Sequence, residues 1–362
     1  MRVALVHDYL NEFGGAERVL LALSEIWPKA PIYTAFIRPG SEAAERFADK
    51  KVITSWAQHI PGFNRYLYSP LRFLAPTIWG SVAKKIKGYD VVISSSSWYV
   101  TKGFGAKKEI CYCHTPPRWL YGYKTSMNWQ KYWPVRVYGQ IIGHFMRQYD
   151  YWAAQKVTHF VANSEEVRRR IKKFYRRDST VIYPPANLVV SSKQLVGSKE
   201  EDYYLIVSRL VGGKGIELGV KAANKGKFKL KIVGEGPLEI ETSKYVELVE
   251  QVKDEELAEL YAKAKGFLAL SRDEDFGITP VEAMSVGTGV VAYNGGGYQE
   301  TVVDGKTGVL FDDYSVDGLV GAIKRLKKLK IKPKDCINQA KKFSKSRFKR
   351  EMKKFVKAKA LT

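Results

Sequence analysis

The sequence predicts an α/β protein of two domains, each a doubly wound parallel sheet. Three observations predict it. Short apolar strands alternate with longer stretches of helical periodicity along almost the whole chain. The series breaks once, at Pro184-Pro185 and the polar residues 191–199, and then begins again. The length, 362 residues, suits two domains of ordinary size.

The first strand is residues 2–7, followed by a glycine turn at Gly14-Gly15. Residues 16–27 place Val19, Leu20, Leu23 and Ile26 at helical spacing. Buried parallel strands are expected at residues 90–94, 109–113, 157–162 and 180–183, with helices over 134–156 and 164–175. Pro134 suits the start of its helix. The second series has strands at 203–208, 229–233, 266–270, 289–293 and 308–311. Helices are expected around 220–224, 254–264, 279–285 and 316–329. Residues 343–360 form a basic amphipathic helix with Phe343, Phe348, Met352, Phe355 and Val356 as its apolar set. The expected domains are 1–188 and 200–343, with a C-terminal helix over 344–362 joined to the first. Two Rossmann-like halves imply a ligand in a cleft between the C-terminal ends of the two sheets.

Composition narrows the class. The longest uncharged run, residues 283–299, holds five glycines and is too short to span a bilayer. No cleavable leader is visible, and three cysteines make neither a disulfide framework nor a zinc site, so the cytoplasm is the default compartment. The formal net charge is +23. The excess lies in residues 1–200 (+16) and 301–362 (+12), whereas residues 201–300 sum to −5. Such a chain suits a polyanion or an anionic membrane surface, or simply a lysine-rich solvated exterior.

The chemistry concentrates in residues 272–288. Glu274 and Glu282 flank a helix start in which Thr279 suits the N-cap and Pro280 the first helical position. A helix start offers free N–H groups to a phosphate. Glu274 can accept from polyol hydroxyls and Glu282 from a vicinal diol. The plain alternative for Glu282 is a capping box with Thr279. Arg209 and Lys214 lie on a glycine-rich loop after a strand, where two cations suit a diphosphate. Their plain alternative is solvated surface charge.

Glu274, Phe276-Gly277, Glu282-Ala283-Met284 and Gly287-Thr288 together resemble the signature of retaining family-4 glycosyltransferases with the GT-B fold. Arg209 and Lys214-Gly215 are similar to that family's diphosphate motif. Gly296-Gly297-Tyr298-Gln299-Glu300 and Asp304-Gly305 resemble its next landmarks. In the first half, Gly14-Gly15-Ala16-Glu17 resembles the turn that approaches the donor phosphate. Tyr112-Cys113-His114-Thr115-Pro116-Pro117-Arg118-Trp119 resembles a segment of the mannosyltransferase-like branch. The resemblance covers nearly the whole chain. Gly289 stands where the family has proline, and Gly213 replaces a polar neighbour of Lys214.

The resemblance implies transfer of a hexose, mannose from GDP-mannose being favoured, to a glycan or lipid-linked acceptor with retention. It implies no cofactor and no obligate metal. His114 and Glu274 would be catalytic. Gly14, Gly15, Arg209, Lys214, Phe276, Gly277, Ile278, Thr279 and Glu282 would bind the donor. Aromatic and basic residues over 56–79 and 121–152 suit an inner membrane face, a sugar platform or core packing. Two other readings compete: a basic nucleic-acid-binding protein, and a GT-B epimerase or phosphorylase. The first leaves the paired glutamates without a role and lacks any nucleic-acid-binding motif, which disfavours nucleic acid as a partner.

Overall fold

The computed structural model describes residues 1–123, 132–186, 201–250 and 252–361. Backbone contacts divide them into two units. Among the described residues the first comprises 1–123, 132–185 and 345–361, and the second 186, 201–250 and 252–344.

The first unit holds a seven-stranded parallel sheet in the order β3-β2-β1-β4-β5-β6-β7. Its strands are β1 (Val3–His7), β2 (Ile32–Thr34), β3 (Val52–Thr54), β4 (Val91–Ser96), β5 (Glu109–Cys113), β6 (His159–Ala162) and β7 (Ser179–Val181). Helices α1 (Gly15–Ile26), α2 (Glu42–Arg46), α3 (Ala75–Ile86), α4 (Trp133–Lys156) and α5 (Glu165–Tyr175) connect them. Every residue of β1, β4 and β5 is buried. That explains why their apolar residues stand in succession, since a parallel strand covered on both faces gains nothing from alternation. Cys111 and Cys113 face Phe160 and Tyr175 on one side, while Tyr112 faces the opposite layer and donates to the Ile182 carbonyl at 2.9 Å. The two thiols are core residues.

The second unit repeats the plan with the order β10-β9-β8-β11-β12-β13. In chain order it runs β8 (Glu201–Val207), α6 (Ile216–Gly226), β9 (Leu230–Val233), β10 (Val246–Val249), α7 (Asp254–Lys263), β11 (Ala264–Ala269), α8 (Ile278–Ser285), β12 (Val290–Tyr293), α9 (Tyr298–Thr301), β13 (Gly308–Phe311), α10 (Val316–Lys328) and α11 (Pro333–Lys341). Both sheets reverse direction of growth at one point: between β1 and β4, and between β8 and β11. Ligands of doubly wound sheets gather at such a switch point.

The last helix, α12 (Lys345–Leu361), belongs to the first unit. Phe348, Met352 and Val356 are fully buried there among Val3, Leu5 and Leu23. One expectation about it is corrected. Phe343 precedes this helix and packs in the second unit, with its ring 5.3 Å from that of Phe276.

Candidate functional site

In the second unit, the candidate residues gather at the β8–β11 switch point. The Arg209–Lys214 loop leaves β8 and turns into α6 at Gly215. Gly215 adopts φ +76°, and a Cβ there would lie 2.3 Å from the Leu270 carbonyl oxygen. Only glycine lets the loop press against the end of β11 this way. The approach delivers Lys214 Nζ to Glu274 Oε2 at 2.9 Å. Both side chains are partly buried, so the pair is less screened than a surface one. Arg209 is exposed one residue beyond Ser208.

Glu274 and Phe276 lie on the loop from β11 to α8. The Gly297 N–H donates to the Glu274 carbonyl at 2.9 Å and ties this loop to the start of α9. Phe276 is buried against Phe343. The N-cap of α8 is Gly277, not Thr279, and the helix starts at Ile278. Thr279 and Pro280 are therefore its second and third residues. The reason is Gly277 at φ +88°, where a Cβ would meet the Tyr298 ring at 2.7 Å. A left-handed glycine begins the helix two residues before the Thr-Pro signal. The Thr279–Glu282 capping box falls with it. Glu282 instead lies in the middle of α8, buried, accepting from the Tyr261 hydroxyl at 3.2 Å. Lys214, Arg209, Glu274 and the open first turn of α8 thus offer cations, backbone N–H groups and a carboxylate at one switch point. That combination suits an anionic ligand bearing hydroxyl groups.

In the first unit, the site grows from β1 and β4. Gly14 caps α1, and its N–H donates to Glu17 Oε2 at 2.9 Å. Of the two expected glycine donors, Gly14 is thus engaged within the chain. Gly15, the first residue of α1, has the N–H that needs no intrahelical partner. The other Glu17 oxygen lies 3.4 Å from His7 Nε2. His7 Nδ1 lies 3.0 Å from Ser95 Oγ, and Ser95 Oγ lies 2.8 Å from His114 Nε2. His7 and Ser95 are register partners across the switch point. His114 follows β5 directly and donates its backbone N–H to the Ser96 carbonyl at 2.9 Å. All four side chains are buried. Burial pushes His114 down to about 3, so its ring is neutral at physiological pH.

Asp8 closes this end of the sheet. It accepts from the N–H groups of Ser97 and Trp98, at 3.0 and 2.6 Å, and from the Thr101 hydroxyl. Sequence reasoning missed Glu17, Ser95 and Asp8. The available signal was weak: a histidine and an aspartate at the end of the first strand, with serines at the end of the second expected one.

The aromatic segments divide in two. Phe63 and Trp79 are core residues. In contrast, α4 exposes Trp133 (73%), Ile141, Phe145 and Trp152, with Arg136 and Arg147 on exposed positions between them. Lys124 and Lys131 lie outside the described residues. Among the described residues no helix is long and apolar enough to cross a membrane.

Residues 13–189 match the model of Glycosyltransferase Family 4, and residues 191–343 match that of Glycosyl transferases group 1. The chain is 25% identical to an alpha-1,3/1,6-mannosyltransferase of Dictyostelium discoideum, covering 86% of each. It is 26% identical to an uncharacterized glycosyltransferase of Methanocaldococcus jannaschii over 41% of this chain and 43% of that one, less than half of the relative's length. It is 28% identical to a GDP-mannose-dependent alpha-(1-6)-phosphatidylinositol monomannoside mannosyltransferase of Mycolicibacterium smegmatis, over 40% of this chain and 44% of that one. Solved structures share the fold. An Anabaena protein in complex with UDP and glucose has a TM-score of 0.70 at 16% identity, covering 99% of both chains. Sucrose-phosphate synthase from Thermosynechococcus elongatus has a TM-score of 0.71 at 17% identity, again over 99% of both. Two parallel α/β sheets, each carrying its polar residues at the switch point, and two matching family models make this chain a GT-B glycosyltransferase of family 4.

Proposed function

We propose that the protein transfers mannose from GDP-mannose to a hydroxyl of a glycan or lipid-linked acceptor, with retention at the anomeric carbon. The observation that carries the reading is the Lys214–Glu274 pair at the β8–β11 switch point, beside Arg209 and the N-terminus of α8. Mannose rests on the 112–119 segment and on the printed activities of the Dictyostelium and Mycolicibacterium relatives.

The reaction breaks the bond from the anomeric carbon to the diphosphate and forms one to the acceptor oxygen on the same face. The acceptor's proton departs with the diphosphate. The transition state is oxocarbenium-like, so the leaving charge needs stabilising before the new bond is made. Arg209, Lys214, the Gly15 N–H and the first N–H groups of α8, from Ile278 and Thr279, do this as fixed donors. Gly277 permits that helix start, and Phe276 anchors it. Gly14 acts through Glu17, which its N–H holds. Glu274 accepts from the sugar hydroxyls, and its pairing with Lys214 holds it in place. Glu282 accepts from the ribose diol. His114 meets a hydroxyl of the transferred sugar. The exposed aromatic stripe of α4 rests on an anionic membrane surface and brings a lipid-linked acceptor within reach.

Thermal shift with GDP, UDP, ADP and CMP tests the donor. A diphosphate at 100 times its dissociation constant should add about 2.7 kcal/mol to native stability. GDP is expected to raise Tm most, and Arg209→Ala and Glu282→Ala to abolish the shift. A larger shift with UDP would overturn the GDP-mannose assignment. The anomeric configuration of the product, read by NMR, tests retention.

A further inference from the structure

We propose that the buried row Glu17–His7–Ser95 fixes the tautomer of His114, leaving its Nδ1 without a proton, so that this histidine receives a sugar hydroxyl and turns away a phosphate oxygen. The inference deepens the proposed function and rests on its reading that His114 meets the transferred sugar.

The direction of the row follows from counting protons. Ser95 has one hydroxyl proton and stands between two ring nitrogens, His7 Nδ1 at 3.0 Å and His114 Nε2 at 2.8 Å. It can donate to only one of them and must accept from the other. The far end decides which. Glu17 sits in the first turn of α1, where the helix dipole favours a carboxylate, and the Gly14 N–H already donates to one of its oxygens. An ionised carboxylate only accepts. The nitrogen facing it, His7 Nε2, must therefore carry the proton. Neutral His7 then has a bare Nδ1, which accepts from the Ser95 hydroxyl. Ser95 Oγ in turn accepts from His114 Nε2–H. His114 is neutral, so its single ring proton is committed to Ser95 and Nδ1 keeps a lone pair.

An imidazolium at His7 would run the row in reverse. The geometry favours the neutral form. A charge-assisted N–H to carboxylate bond closes to about 2.7–2.9 Å, whereas His7 and Glu17 stand 3.4 Å apart. The consequence for recognition is direct. A bare Nδ1 takes a hydroxyl proton and repels a phosphate oxygen, which has only lone pairs to offer. Glu17, His7 and Ser95 act as positioning residues.

The test is the protonation state of the His114 ring, read by NMR on 15N-histidine-labelled protein. The chain has five histidines, and a His114→Gln variant assigns the resonance. The proposal expects a protonated Nε2 and a bare Nδ1 in the native protein. Glu17→Gln should invert this. With its carbonyl held by the Gly14 N–H, the new amide donates to His7 Nε2, and every bond in the row turns round. Ser95→Thr should keep the native tautomer, and Ser95→Ala should lose it. These two variants keep the proposal testable if Glu17→Gln folds poorly. A native ring protonated on Nδ1, or an unchanged ring in both Glu17→Gln and Ser95→Ala, would overturn it. Turnover separates this from the role of His114. Inversion should lower kcat by about ten- to a hundredfold, the cost of a mismatched buried hydrogen bond. If the tautomer inverts and kcat does not move, the row stands and the assignment of His114 to a sugar hydroxyl falls.

Discussion

Glu109 and His114 are both buried in the first unit, and burial moves them in opposite directions. Glu109 accepts from the N–H groups of Gly103 and Phe104, each at 2.8 Å, yet desolvation raises it from an ordinary 4.5 to about 7. His114 falls from 6.5 to about 3. Between pH 4.5 and 7 the folded chain keeps a proton on Glu109 that the unfolded chain has lost, so stability from this group falls as pH rises. Between pH 3 and 6.5 the unfolded chain holds a proton on His114 that the folded chain lacks, so stability from this group rises with pH. Each slope is about 1.4 kcal/mol per pH unit. In the overlap the two cancel. His114→Gln should therefore leave a Tm that falls as pH rises from 4.5 to 7. Glu109→Gln should leave one that rises towards pH 6.5. Thermal melts across this range check both, and parallel profiles for the two variants would refute the account. At the other site, Glu274→Gln keeps the shape and removes the charge paired with Lys214. It should lower kcat by roughly 10²–10³, measured by product formation at saturating donor.

At the scale of elements, the start of α8 is set by a backbone conformation and not by a capping side chain. Gly277→Ala would force a left-handed φ on a residue with a Cβ and drive that atom into the Tyr298 ring. It should cost about 2 kcal/mol or more in the second unit, read as a lower denaturant midpoint, and weaken diphosphate binding in parallel. The same helix shows what the sequence could and could not reveal. Thr279-Pro280 is a sound helix-start signal, but the glycine two residues earlier overrides it because tertiary contact with Tyr298 and α9 holds the turn. Strands with four or more apolar residues, such as β1, β5 and β8, were legible within a residue or two. β2 and β3 were not, because three residues give no period to read; β2 is added in parallel beside β1, and β3 beside β2. The glutamates, cations and glycines of the second unit were legible because they cluster in sequence. The row in the first unit was not. Its members come from β1, α1, β4 and the end of β5, and only the register of the sheet brings them together.

At the scale of the whole molecule, charge and exposure make one joint prediction. A net charge of +23 and the exposed Trp133, Ile141 and Phe145 should carry the protein onto anionic vesicles, with binding that weakens as salt rises. Trp133→Ser with Phe145→Ser should reduce co-sedimentation at constant charge. Equal binding by this variant would assign attachment to charge alone. The return of α12 to the first unit bears on synthesis. The amino-terminal unit leaves the ribosome first, yet Phe348, Met352 and Val356, which fill its core, emerge only after the whole second unit. At about 5–20 residues per second this delay is on the order of ten seconds. The half made first is thus the half finished last, and a message broken anywhere before Lys345 yields a polypeptide with an open apolar face for chaperones and proteases to find.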